Sequence, residues 1–226
     1  MKLIFDQVSD QNSDSLATRF RRARARLIMD LINEIAAANG RVRILDLGGD
    51  PGYWSRLFDR AALEAAKVHI TTVNPHVWEE SDDPMIEAVE GDACAMPQFA
   101  DNSFDLAHSN SVIEHVGDWS KMEAFAAEHR RVAPRYYVQT PNFGFPIEPH
   151  FSAIGFHWRS EQARANILLK RRLGWTDKAK DMGEAMRAVQ DARLLNKAQF
   201  RYLFPDAQMV DEKVLGLTKS LRAVKR

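Results

Sequence analysis

The sequence predicts an α/β fold: a mostly parallel sheet with helices on both faces, ending in an antiparallel hairpin. Three observations carry this. Short apolar, β-branched runs alternate with stretches whose apolar residues recur every three or four positions, the pattern of βαβ units. A bare turn with Gly48, Gly49 and Gly52 follows the first such run. The last two runs, 208–214 and 217–224, flank Gly216 too closely for a helix to intervene, so they pair with each other.

Ser13 or Asp14 is expected to cap a first helix over 14–39, whose stripe is Leu16, Phe20, Ala23, Leu27, Leu31 and Ile35. Asn39-Gly40 stops it, and 42–47 reads as a buried strand. After the glycine turn, 53–66 reads as one helix. The β-branched stretch 68–73 is a second strand broken by Asn74-Pro75, and 85–89 a short third. Residues 104–108 give a fourth strand, 119–132 a helix and 136–139 a fifth strand. Pro141, Pro146 and Pro149 keep the next stretch irregular. The segment from about 158 to 195, rich in Arg, Lys and Ala, breaks the alternation and reads as a helical insertion. A short helix over 200–204 ends at Pro205, and the hairpin follows. The whole chain reads as one domain.

Composition narrows the function. The 226 residues are 45% apolar and 27% charged with a formal net charge of +0, so no overall field recruits nucleic acid or an anionic surface. The single cysteine, Cys94, forms no internal disulfide, which fits a cytoplasmic protein, and it reads as a small core residue. The start, MKLIFDQVSDQ, is too short in apolar residues for a signal-peptide core, and no run reaches the ~20 apolar residues of a membrane span. The seven histidines are scattered, with no His-Glu-x-x-His and no cysteine pair, so no metal site is expected.

The turn "LDLGGDPGYW" lies where open α/β sheets place ligands, beyond the carboxyl end of the first strand. It lacks the G-x-G-x-x-G spacing of a dinucleotide loop and the Gly-Lys-Ser/Thr of a P-loop, and Pro51 removes a donor, so it does not cradle a phosphate. The stretch from about 42 to 142, with a looser match through the C-terminal strands, resembles class I S-adenosylmethionine (SAM)-dependent methyltransferases, and "TPNFGFPIEPHF" with "LLNKAQFRYLFPDA" and "LGLTKSL" resembles their broad bacterial Methyltransferase-11 type. Their first loop reads acid-x-Gly-x-Gly-x-Gly; here Asp46, Gly48 and Gly52 match, while Asp50 replaces the middle glycine. The resemblance implies a Rossmann-like three-layer sandwich with a seven-stranded sheet, and SAM as cofactor. It also implies that Asp46 orients the methionine amino end and that Gly48, Gly49 and Gly52 run close to the cofactor. The family's ribose-binding acid is replaced by Asn74, whose amide oxygen still accepts one bond. In Gly91-Asp92-Ala93, Asp92 would accept from the adenine amino group beside Ala93, and in "NSFDLAHSNSVIEHVGDW" Ser109 and Asn110 would lie near the methionine moiety.

Methyl transfer from a sulfonium asks the protein to align a nucleophile and take its proton. In "FPIEPHF", Glu148 and His150 flank a proline beyond the fifth strand and are candidate catalytic groups: His150 as base, Glu148 as the residue that fixes it. The alternative is that they only hold the loop to the insertion. Likewise Glu114-His115 either lines the pocket, with His115 as a base, or fixes its loop by hydrogen bonds. Arg19, Arg21, Arg22, Arg24 and Arg26 read first as a solvated helix face and second as a contact for a phosphate-bearing substrate. Trp158, Trp175 and Lys170-Arg171-Arg172 fit either a substrate lid or a homodimer contact. The expected reaction is O-methylation of a small-molecule or glycan acceptor. The alternatives are an RNA 2′-O-methyltransferase, suggested by "DLGGDPGYWS" but lacking a basic face and an Asp-Met-Ala-Pro-like loop, and a non-catalytic SAM-binding protein.

Overall fold

The computed structural model describes residues 16–76 and 82–226. The expected cap at Ser13 or Asp14 lies outside them. Helix α1 (Leu16–Asn39) buries Ala25, Ile28, Leu31, Ile32 and Ile35 along one side. Gly40 ends it with φ +72°. Strand β1 (Val42–Leu47) is buried at five of six positions, as a central parallel strand covered on both faces must be.

The stretch expected as one helix is two: α2 (Pro51–Leu57) and α3 (Arg60–Ala65). Phe58 leaves the helix in an extended conformation and stacks on Trp54, ring centroids 4.8 Å apart. Burying that ring outweighs helix continuity. Then come β2 (Val68–Asn74), β3 (Ile86–Glu90) and β4 (Leu106–Asn110), a single turn of 3₁₀ helix (Ile113–His115), α4 (Trp119–Val132) and β5 (Tyr136–Pro141). β4 starts two residues later than expected. Asn102, at φ +53°, turns the chain, and Asp105 is held by the Arg43 backbone N–H at 2.8 Å, so both stand before the strand.

The sheet order is β3-β2-β1-β4-β5-β9-β8, with β8 (Gln208–Val214) and β9 (Leu217–Lys225) antiparallel. Leu215 and Gly216 both have positive φ, the geometry of a tight two-residue hairpin turn. α1, α2 and α3 pack against one face; α4 and α7 (Lys197–Leu203) pack against the other. This is the expected mostly parallel, seven-stranded, Rossmann-like three-layer sandwich.

Between β5 and α7 the chain forms a two-residue ladder, β6 (Ile147–Glu148) with β7 (Ala153–Ile154), then α5 (Glu161–Leu168) and α6 (Met182–Gln190). These pieces share a small core of Phe151, Phe156, Ala165, Leu168, Ala179, Ala185 and Val189. Backbone bonds from Phe143 N–H to Leu195 O (2.9 Å) and from Arg193 N–H to Glu114 O (2.7 Å) tie this unit to the carboxyl edge of the sheet. No helix among the described residues is long and apolar enough to cross a membrane.

Candidate active site

The strand order reverses between β1 and β4, and the crevice beyond their carboxyl ends is where such sheets bind ligands. A cavity of about 360 Å³ lies there, lined by Gly48, Asn74, Asp92, Ala93, Ser111, Val112 and His115 among others. Gly48 has φ +71°, and a Cβ on it would sit 2.6 Å from a Val112 methyl. A Cβ on Gly49 would sit 2.1 Å from the Asp46 carboxylate. Both positions therefore require glycine; the bare backbone of Gly48 lines the cavity, while Gly49 packs against Asp46. Gly52 is less constrained, since its Cβ would meet the flexible end of Arg56 and, at 3.2 Å, the Asp50 carboxylate.

Asp50, in place of the family's glycine, adopts an ordinary extended conformation and caps α2. Its Oδ1 accepts from Gly52 N–H at 2.8 Å and its other oxygen pairs with Arg56 at 2.5 Å. The Arg56 hydrogen bond, aided by that of Gly52 N–H, holds its carboxyl below the usual range. The departure thus strengthens the helix start without changing the bare part of the loop.

Asp46 is 1% exposed, and its carboxylate accepts from Trp54 Nε1 (2.7 Å) and pairs with His108 Nδ1 (2.6 Å). It fixes the β1 end to α2 and β4 from inside. Nothing in the residue pattern singled out His108, which stacks on Tyr137 with centroids 5.5 Å apart. Asn74, on the cavity lining, uses its amide nitrogen on Gly49 O at 2.8 Å, so the end of β2 holds the glycine turn. Asp92 accepts from Cys94 N–H (2.8 Å) and pairs with Lys121 Nζ (3.0 Å); the Cys94 bond first and then Lys121 lower its pKa. Ala93 is buried beside it, and burial pushes the neighbouring Cys94 thiol up to about 12.

Ser109 and Asn110 do not line this cavity. Ser109 is buried in the sheet, and Asn110 accepts from Arg24 Nη1 at 2.9 Å. Because β4 runs on to Asn110, the residues that reach the cavity are Ser111, held at φ +57°, and Val112. Arg24 departs from the arginine run read as a solvated face. It is 12% exposed, bonds Asn110 and Gln139 (3.0 Å), and lies 3.4 Å from the buried Glu212.

The candidate catalytic residues come together. His150 Nδ1 is 2.6 Å from Glu148 Oε1, whose other oxygen accepts from Phe151 N–H at 2.6 Å. Burial opposes protonation of His150, but the Glu148 bond and charge outweigh it and the ring's pKa is raised. His115, on the first cavity's wall, donates from Nδ1 to Asp191 O at 3.0 Å. Glu114 is fully buried. One of its oxygens accepts from Thr140 Oγ1 at 2.9 Å and the other has no partner. Burial raises its pKa against the pull of the two imidazoles.

His150 also lines a second cavity, of about 500 Å³, whose far wall is Glu184, Arg187, Ala188 and Asp191 on and after α6. The insertion therefore walls a space that His150 shares. Trp158 and Trp175 remain exposed, and Trp158 Nε1 donates to Phe143 O at 3.0 Å.

A family model for a methyltransferase domain matches residues 20–203. No curated protein matches the chain. Among solved structures, the PH0226 protein of Pyrococcus horikoshii OT3 is 18% identical, with 96% of this chain and 93% of that chain covered and a TM-score of 0.51, a likeness of fold. A provisionally assigned O-methyltransferase of Nostoc punctiforme PCC 73102 is 13% identical at a TM-score of 0.48, with 90% of this chain and 56% of that chain covered. Phosphoethanolamine N-methyltransferase 2 of Haemonchus contortus, solved with S-adenosyl-L-methionine, is 16% identical at a TM-score of 0.45, with 76% and 35% covered. The chain thus spans about half the length of the Nostoc protein and a third of the Haemonchus one.

Proposed function

The chain belongs to the methyltransferase-domain family and uses S-adenosylmethionine, and from that premise we propose that it methylates a hydroxyl of a small molecule or glycan. The observation that carries the proposal is the placing of His150, fixed by Glu148, where the glycine-floored cavity and the insertion-walled cavity adjoin.

The first cavity suits the cofactor. Two positions admit no side chain, Asn74 offers an acceptor for a ribose hydroxyl, and the Asp92 carboxylate stands at the rim for the adenine amino group. Bound there, the cofactor supplies a methyl group on a sulfonium leaving group. The second cavity, with Glu184, Arg187, Thr176 and Asp191 on its wall, offers donors and acceptors to a polyhydroxylated acceptor. Glu148 occupies Nδ1–H of His150 and leaves Nε2 to receive the hydroxyl proton. As the acceptor oxygen takes the methyl group, its proton would pass to His150 Nε2, which Glu148 leaves free by holding Nδ1. We take the cytoplasm as the compartment, supported by the single unpaired Cys94.

The test is a screen of hydroxyl acceptors, sugars included, against amine and thiol analogues, followed as S-adenosylhomocysteine formed. Turnover with hydroxyl acceptors supports the reading; turnover only with amines or thiols overturns it.

A further inference from the structure

We propose that Glu114, His115 and His150 form a binding site for a divalent transition-metal cation where the two cavities adjoin. The inference rests on the reading of this junction as the acceptor face and adds an ion to it. One ligand-capable atom from each of the three residues lies within 4.8 Å of those from the other two. Ligands on one such cation stand roughly 3–4 Å apart, so a small side-chain movement closes the set.

Each of the three is already turned so that one atom is left over. His115 Nδ1 faces the Asp191 carbonyl at 3.0 Å, and a carbonyl accepts only, so that nitrogen carries the proton and Nε2 keeps its lone pair. His150 Nδ1 is held by Glu148 at 2.6 Å, which likewise leaves Nε2. Glu114 has one oxygen on Thr140 Oγ1 at 2.9 Å and the other buried without a partner. A carboxylate oxygen out of water with nothing to bond is a cost the fold carries unless something fills the place. Metal-ligating histidines have their second nitrogen held in this way, by a carboxylate or a backbone carbonyl.

Two imidazoles and one carboxylate suit zinc, cobalt, manganese or iron better than magnesium or calcium, which prefer oxygen. Three protein ligands leave a position open for the acceptor hydroxyl, which a bound cation makes more acidic. With the ion present His150 Nε2 is a ligand, and the hydroxyl proton passes to water instead.

The test uses the full chain, stripped with EDTA and titrated with cobalt(II) chloride, with binding read from the visible absorption of the bound ion. The expected result is one cobalt per chain, displaced by zinc, with affinity at least ~10-fold weaker in Glu114→Gln and His150→Ala. Circular dichroism establishes that both variants are folded, and the wild-type titration stands without them. No absorption at millimolar cobalt, or equal affinity in wild type and both variants, overturns the site. The titration needs no acceptor, so failure of every hydroxyl substrate overturns the proposed reaction without touching this result. Conversely, a missing ion with full hydroxyl turnover removes only the ion.

Discussion

The rings of His115 and His150 meet edge to face with centroids 4.8 Å apart, one on the wall of each cavity. The contact exists because two separate segments converge. The 3₁₀ turn after β4 brings His115, and the β6–β7 ladder after β5 brings His150. On the proposed reading, a donor in one cavity meets an acceptor in the other across these two rings. His150→Ala is expected to lower turnover ~10²–10⁴-fold while SAM affinity stays near wild type. His115→Ala should reduce both, because its ring lines the cofactor cavity. If His150→Ala retains more than about half of wild-type turnover when methyl transfer limits the rate, the ring has no part in the chemistry.

The floor of the cofactor cavity gives a second expectation. SAM should raise the melting temperature, since a ligand that binds only the native chain stabilises it. Gly48→Ala forces a side chain into left-handed backbone at φ +71° and against Val112, at about 1–2 kcal/mol of stability. The variant should fold with a lower melting temperature and show no further rise with SAM. An undiminished SAM shift would mean that the cofactor does not lie against this loop.

Much of this arrangement was legible in the sequence. The alternation of strands and helices, the final hairpin and the glycine turn follow from local patterns, because period and turn chemistry are written in neighbouring residues. The break at Phe58 was not legible, because it depends on stacking with Trp54. Neither was the reach of β4 to Asn110, which moved Ser109 and Asn110 into the sheet and gave the cavity Ser111 and Val112. Arg24 looked like one of five solvated arginines, yet it bonds across to the ends of β4 and β5. The histidines looked scattered, but scatter along the chain says nothing about distance in a fold whose loops converge on one edge.

Asn74 separates what the resemblance implies from what this chain has built. A carboxylate at the end of β2 makes charge-assisted bonds to ribose hydroxyls, which by itself would make Asn74→Asp a gain. Here the amide nitrogen donates to Gly49 O at 2.8 Å, and an aspartate would set a negative oxygen against that carbonyl. Loss of this bond loosens the turn that floors the cavity, so Asn74→Asp should weaken SAM binding about fivefold to tenfold, a cost of roughly 1–1.5 kcal/mol. Calorimetry showing tighter binding would mean that the ribose contact outweighs the hold on the turn.

His129 gives a pH-dependent expectation away from the site. Its ring is fully buried between Phe125 and Phe204, with Nδ1 on Phe125 O at 3.0 Å and Nε2 unpartnered. Burial pushes its pKa down to about 3. The unfolded chain takes up a proton near ~6.5. Between these values the unfolded state holds the extra proton, so the native state loses stability as pH falls from about 6.5 toward 3, at up to ~1.4 kcal/mol per pH unit for this group. At pH ~6.5 the slope is half its full value, and above pH ~7.5 the group contributes almost none. His129→Phe keeps an aromatic ring in an aromatic pocket and has no proton to take up. Its urea-unfolding free energy should therefore fall less steeply than wild type between pH 6.5 and 4, with the two slopes equal above pH ~8. Parallel curves across the whole range would show that the unfolded chain gains no proton at this position that the native chain refuses.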